Sequence, residues 1–271
     1  MTVEELLCFA KQYIHKTQSE MLLASFLNVN SLELLLMLDK HVDDSISREF
    51  KEKVLMIKDN VPIQYVIGNV NFYGNTFKVN KNVLIPRFET EELVENTIIL
   101  IKENFNYPVN IIDLGCGSGC IGITLKKKLD NASVTLLDIS KEALEVAKEN
   151  ASLLNTSVSF IESDMWDKVT DKYDVIISNP PYIRNDEEIE EIVKNNEPHL
   201  ALYGGVDGLD LYRKIRDGIL NHVHDRFLVA FEIGDMQSEA VTKLFSDIPN
   251  VEIITKKDLQ GRDRMVFIIK K

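Results

Sequence analysis

Through the first sixty positions the apolar residues recur three and four apart, and polar breaks divide them into runs. "TVEELLCFAKQYIHK" opens on Thr2 with Glu5 three places later, the signature of a capping box. It then sets Leu6, Phe9, Tyr13 and Ile14 at helical spacing. "SEMLLASFL", "SLELLLMLD" and "SREFKEKVLMI" repeat that character, so residues 1–60 are predicted to form a small helical bundle. The texture changes at Pro62. "IQYVIGNVNFYGNTFKVN" alternates, is rich in Val, Phe and Tyr, and carries Gly68 and Gly74. That pattern predicts a β-hairpin, and residues 61–82 read as a linker.

From residue 83 to 271 strands alternate with helices. "NIIDLG", "SVTLLD", "SVSFIE", "YDVIIS", "FLVAFEIG", "VEIIT" and "MVFIIK" are the strands. "EELVENTIILIKEN", "GCIGITLKKKL", "KEALEVAKENASLL" and "SEAVTKLFS" are helices among them. Such alternation predicts an α/β fold with a mostly parallel seven-stranded sheet covered on both faces.

Composition narrows the partners. Of 271 residues 45% are apolar and 27% charged, the profile of a globular domain. No apolar run is long enough to span a bilayer, and the N-terminus lacks the order of a signal peptide. Cys8, Cys116 and Cys120 form no disulfide framework and no metal-type pair, which suits a reducing cytoplasm. The net charge of −12 argues against broad binding to nucleic acid. The acidic run "NDEEIEEI" reads as a solvated helix face. His15 and His41 stand alone and read as surface residues.

Chemistry is concentrated at four successive strand ends. After the first comes "DLGCGSG", where glycines let the backbone turn sharply and approach a ligand. Gly115, Gly117 and Gly119 give G-x-G-x-G, and Cys120 occupies the place of the third glycine of a dinucleotide fingerprint. Cys116 and Ser118 complete the loop. The second strand ends in Asp138, where an acid can accept from both ribose hydroxyls of a nucleoside. The third ends in "ESDMW": Asp164 can accept from an adenine amino group, and Met165 and Trp166 offer a polarizable surface. For Trp166 core packing is an equally good reading. The fourth ends in Asn179-Pro180-Pro181-Tyr182.

That last corner suits transfer to a planar NH2 group. An amide or arylamine nitrogen is a poor nucleophile because its lone pair is delocalised. Two acceptors aimed at its hydrogens, the Asn179 side-chain oxygen and the Pro180 carbonyl, can hold it and favour a tetrahedral nitrogen. Pro181 biases Pro180 toward an extended backbone, so the carbonyl is aimed in advance. Tyr182 can stack on the planar group. No metal and no strong base is required.

The glycine loop, Asp138 and NPPY, in this order, are similar to those of class I S-adenosylmethionine-dependent methyltransferases with a Rossmann-like fold. Over nearly the whole chain the sequence resembles the peptide chain release factor glutamine methyltransferases. The marks are "LIPRFETEELV", "DLGCGSGCIGI", "LDISKEALEVAKEN", "YDVIISNPPYI", "EPHLALYGGVDGLDLYRKI", "FEIGDMQ" and "DLQGRDRMV". The resemblance implies a substrate-docking helical domain (1–60), a hairpin linker (61–82) and a methyltransferase domain (83–271). It implies methylation of N5 of the glutamine in the Gly-Gly-Gln motif of class 1 release factors, with S-adenosylhomocysteine as the other product. Gly115 to Gly119, Asp138, the Met165-Trp166 pair and Asn179 match cofactor contacts. Asn179 to Tyr182 match the glutamine pocket. A cytoplasmic monomer is expected. Phe88 departs from the family's IPRPET, and Leu84 stands where some members have an aromatic residue. Two relatives of this chemistry, a nucleic-acid amino methyltransferase and an enzyme modifying a ribosomal-protein glutamine, are alternatives. A non-catalytic cofactor-binding adaptor is a third, which intact NPPY and Asp138 disfavour.

Overall fold

A computed structural model describes residues 1–271. The chain divides into two compact units, Met1–Asn69 with Glu190–Asn196, and Val70–Ile189 with Glu197–Lys271.

The first unit contains α1 (Val3–Ala10), α2 (Lys16–Leu27), α3 (Ser31–Leu35), α4 (Asp44–Lys58) and α5 (Ile63–Ile67). The predicted capping box is present: Thr2 Oγ1 accepts from Glu5 N, and Glu5 Oε2 accepts from Thr2 N. The first apolar run is not one helix to Lys16, because α1 ends at Ala10 and a turn precedes α2. Leu6, Leu22, Leu23, Leu34, Phe50 and Val54 are fully buried and form the core. The segment "IQYVI" is a helical turn rather than a strand. Ile63 and Val66, three apart, are its buried residues, and Gly68 closes it at φ 84° with its N–H on Gln64 O. Three-residue spacing and alternation share positions over so short a run, which is why the two readings diverge here.

The hairpin proper is β1 (Asn69–Phe72) and β2 (Asn75–Lys78). Tyr73 and Gly74, both at positive φ, make its two-residue turn. Phe72 and Phe77 meet edge to face at 5.9 Å and are buried in the core of the second unit. The hairpin is therefore packed structure.

The remaining elements, in chain order, are α6 (Phe88–Asn104), β3 (Asn110–Leu114), α7 (Cys120–Lys128), β4 (Ser133–Asp138), α8 (Lys141–Leu153), β5 (Ser159–Glu162) and β6 (Tyr173–Ser178). Then come α9 (Glu191–Asn196, in the first unit), α10 (His199–Leu202), α11 (Asp210–His222), β7 (Val223–Glu232), α12 (Ser238–Phe245), β8 (Val251–Lys257) and β9 (Asp263–Lys270). Of the acidic run "NDEEIEEI" only the last two residues enter a helix; the rest is exposed turn and coil, apart from a half-buried Ile189.

The sheet has seven strands in the order β5-β4-β3-β6-β7-β9-β8. β3 pairs parallel with β4 and β6, β4 with β5, and β6 with β7, while β9 runs antiparallel between β7 and β8. Alternate residues serve opposite faces. Ile111, Val175 and Leu228 lie in one apolar cluster, and their neighbours Ile112, Ile176 and Val229 lie in the other. The chain runs outward from β3 to β5 and then returns to β6 on the other side of β3. Ligands of open parallel sheets bind at such a switch point, outside the carboxyl ends of the strands. No helix is long and apolar enough to cross a membrane.

Candidate active site

A cavity of about 210 Å³ opens at that switch point. Its lining includes Gly115, Cys116, Gly117 and Ser118 from the loop after β3, and Asp138 from the end of β4. Asp164, Met165, Asn179 and Pro181 come from the loops after β5 and β6. Four strand tips singled out by sequence thus meet at one hollow.

The loop owes its path to its glycines. Gly115, Gly117 and Gly119 all sit at positive φ, and Gly115 N and Cys116 N donate to Leu137 O at 2.8 and 2.9 Å. Gly119 caps α7 and is not in the cavity wall. The G-x-G-x-x-G fingerprint is present one glycine further on than the sequence reading placed it, as Gly117, Gly119 and Gly122. The third glycine is required where α7 crosses β4. A Cβ at Gly122 would lie 2.2 Å from Leu136 Cδ2. Cys120, two residues earlier, is buried beside it.

Two carboxylates brace the loop. Asp138, 8% exposed, accepts from Gly117 N at 2.8 Å and from Ser140 N at 2.9 Å. Burial raises its pKa against the pull of these N–H groups. Asp113 is fully buried; its Oδ2 accepts from Gly122 N at 2.9 Å and its Oδ1 has no partner. Burial pushes Asp113 up to about 7, opposed by the Gly122 N–H and reinforced by the charge on Asp138. Asn150 Nδ2 donates to Ser118 O at 2.9 Å and fixes the loop from α8.

The Met165-Trp166 pair is split. Met165 faces the cavity at φ 44°. Trp166 is not in its wall: the indole stacks on His222 at 4.6 Å, and Nε1 donates to the carbonyls of Lys214 and Ile215. A Cβ at Gly218 would lie 2.1 Å from Trp166 Cδ1, so α11 admits the ring only because of that glycine. Asp164 is ion-paired with Lys214 at 3.0 Å.

At the fourth tip, Asn179 and Pro181 face the cavity, whereas Pro180, buried, and Tyr182, half-buried, are not in its wall. Burial, with the charge of Glu232, pushes the Tyr182 hydroxyl far above its ordinary range. The corner is clasped from outside. A Cβ on Gly204 would lie 2.3 Å from Pro181 O, and one on Gly208 2.2 Å from Tyr182 O. Gln237 Nε2 donates to Tyr182 O at 2.9 Å while its Oε1 accepts from Gly234 N. Behind Asn179, its Nδ2 donates to Thr90 Oγ1 at 3.3 Å, and Thr90 Oγ1 donates to Glu232 Oε2 at 2.6 Å. Val83, Leu84 and Pro86 form another wall. Arg87 secures it by pairing with buried Glu197, whose other oxygen accepts from Ile85 N. Gln237, Glu197, Thr90, Glu232 and Gly122 carried no site signal in the sequence reading, although all lie in the quoted motifs or beside them.

The Methyltransferase small domain family matches residues 88–206, and the PrmC N-terminal domain family matches residues 6–68. Among solved structures, the 16S rRNA N2 G1207 methyltransferase of T. thermophilus, in complex with AdoMet and guanosine, has a TM-score of 0.55 at 14% identity. It covers 75% of this chain and 50% of its own. The hMettl16 catalytic domain with a MAT2A hairpin reaches 0.56 at 16% identity, over 84% and 82%. At that identity both show the fold alone. Relatives named release factor glutamine methyltransferase match far more closely. The Bacillus cereus protein is 38% identical over 98% of this chain and 99% of its own length. The Lactococcus lactis protein is 40% identical over 89% of each. Matched over nearly its whole length by relatives of that name, the chain belongs to the release factor glutamine methyltransferase family.

Proposed function

We infer that this chain transfers a methyl group from S-adenosylmethionine to N5 of the glutamine in the Gly-Gly-Gln motif of class 1 release factors. The observation that carries the reading is the meeting of Asn179 and Pro181 of the NPPY corner with Gly115 to Ser118 of the glycine loop and Asp138 around one cavity. The residues fit a nucleoside cofactor. Each Asp138 oxygen already accepts one backbone N–H and keeps a lone pair for a ribose hydroxyl. Ile139 and Met165 offer apolar surface for a ring. Bound there, S-adenosylmethionine supplies an electrophilic methyl group on a positively charged sulfur.

The rest is the work of the chain. Asn179 Oδ1 and Pro180 O accept the two hydrogens of the glutamine NH2 and turn its lone pair toward the methyl group. The clasp by Gly204, Gly208 and Gln237 fixes the carbonyls of Pro181 and Tyr182, directly after those acceptors, so the corner needs little reorganisation during transfer. Tyr182 supports the planar amide. We assign release-factor docking to the helical unit. Its α3 region presents Leu32 and Leu36, 69% and 76% exposed, as an apolar surface. Three free cysteines suit a cytoplasmic setting. The test is intact-mass measurement after incubation with cofactor and each of three acceptors: a class 1 release factor, an oligonucleotide and a ribosomal protein. Methyl gain by the release factor alone supports the reading. Gain by either of the others instead overturns it.

A further inference from the structure

We propose that Thr90 and Glu232 are positioning residues that set the polarity of the Asn179 amide, so that its oxygen rather than its NH2 faces the substrate. The proposal rests on the reading of Asn179 as an acceptor for the glutamine amide.

An amide has two ends of nearly equal shape and opposite hydrogen-bonding character. Asn179 acts as an acceptor only if something commits its NH2 elsewhere. The fold brings that something to it. β6 and β7 are in parallel register at Ser178 and Phe231, so the next residues, Asn179 just past the end of β6 and Glu232 at the last position of β7, lie side by side. Thr90, in the first turn of α6, stands between them.

A hydroxyl has one proton. The 2.6 Å separation of Thr90 Oγ1 from Glu232 Oε2 is that of an O–H donating to a carboxylate. With its proton so committed, Thr90 offers Asn179 only a lone pair. Asn179 must then present Nδ2, at 3.3 Å, and its Oδ1 is left for the cavity that Asn179 lines. A protonated Glu232 reverses the logic. Its O–H can donate to Thr90, which frees the Thr90 proton for Asn179 Oδ1 and lets the amide turn over.

Glu232 is 1% exposed, and burial pushes it up to about 7. The Thr90 hydroxyl, Arg264 and Arg87 favour its ionised form, while Glu89 disfavours it. The Tyr182 and Tyr212 hydroxyls and the Cys120 thiol are its other titratable neighbours. The relay is therefore set at alkaline pH and released as pH falls through about 7.

The experiment is single-turnover methyl transfer to a release factor, with both substrates saturating, across pH. Thr90→Val keeps the shape and deletes the relay. It should lower the rate about 10–100-fold, in line with the cost of small misplacements at reacting groups, with cofactor affinity changed less than about threefold. Thr90→Ser, which restores the hydroxyl, should recover to within about threefold of the unaltered rate. In Glu232→Gln the fall of rate below pH about 7 should disappear, a change that a merely structural residue would not produce. Asn179→Ala is run in parallel. If it keeps the full rate, the acceptor reading itself fails and the relay with it. If Asn179→Ala is inactive while Thr90→Val keeps its rate, the relay alone is overturned. Should Thr90→Val not fold, an unchanged acid limb in Glu232→Gln overturns the relay, and its loss supports it.

Discussion

In the helical unit the buried polar residues are Ser19 and Ser47, whose hydroxyls donate to main-chain carbonyls four and five residues away. In the sheet unit they include Asp113, Asp138, Asp174, Glu197, Glu232 and Asp258. Both units bury apolar side chains to completion, Phe50 in one and Phe231 in the other. The difference lies in the carboxylates. Burying a charge is costly unless it is paired or hydrogen-bonded, so a fold keeps such groups where they hold something in place. Four of the six hold parts of the cavity: Asp138 and Asp113 the glycine loop, Glu197 the Arg87 wall, and Glu232 the Thr90–Asn179 pair. Asp174 and Asp258 accept backbone N–H groups at the other sheet loops. The helical unit is built for packing and surface, and the sheet unit for a preorganised hollow.

The comparison breaks most visibly in the helical core. Phe50→Ala should cost about 3–5 kcal/mol of that unit's stability, as for other buried aromatic truncations, yet leave cofactor affinity unchanged. Chemical denaturation and calorimetry read the two effects. A fall in cofactor affinity that tracks the lost stability would show that the units do not divide the work.

In the sheet unit, Asp138→Ala should weaken S-adenosylmethionine binding by about 1.5–3 kcal/mol, the value of a charge-assisted contact. Unchanged affinity in a folded variant would remove Asp138 from the site.

Buried carboxylates also give the sheet unit a pH signature. Asp113 titrates near 7 in the folded chain, above its ordinary 3.8, so the folded state holds its proton more tightly than the unfolded one. The stability it contributes is complete below the ordinary value and is lost as pH rises through about 7. From pH about 5.5 to about 8 the loss from Asp113 should be roughly 2 kcal/mol; Glu232, also raised to about 7, adds to the slope, and Asp113→Asn should remove the Asp113 share of it. A slope unaltered by that substitution would place the titration elsewhere.

The smallest effect concerns Trp166. Trp166→Phe removes the N–H that donates to two α11 carbonyls and should cost about 1 kcal/mol of stability while leaving cofactor affinity within about twofold. A tenfold loss of affinity would return Trp166 to the cofactor.

What could be read without coordinates follows from the range of the interactions. The strands of the parallel sheet are buried on both faces, so their continuous apolar runs announce themselves, and each functional tip follows its strand directly. NPPY, Asp138 and the glycine loop are local motifs of this kind. Their supports are not. Asn179 and Thr90 stand 89 positions apart, Thr90 and Glu232 stand 142, and Ile85 and Glu197 stand 112. Only the order of strands brings them together. Gly122 is legible in the sequence, since the complete glycine spacing is written in "GSGCIG", although a fingerprint begun at Gly115 passes over it. Met165 and Trp166 are adjacent in sequence but turn to different surroundings, a distinction set by the left-handed backbone at Met165.

The central claim is that the NPPY corner presents two acceptors to a glutamine amide. Its most direct test is to locate the methyl group. A class 1 release factor is incubated with the full chain and labelled cofactor, digested, and mapped by fragment mass spectrometry, beside an Asn179→Ala reaction. The account predicts one methyl group, on the side-chain nitrogen of the glutamine in Gly-Gly-Gln, formed about 10²–10³-fold more slowly by the variant. A methyl group on any other residue, or equal rates from the two proteins, would contradict it.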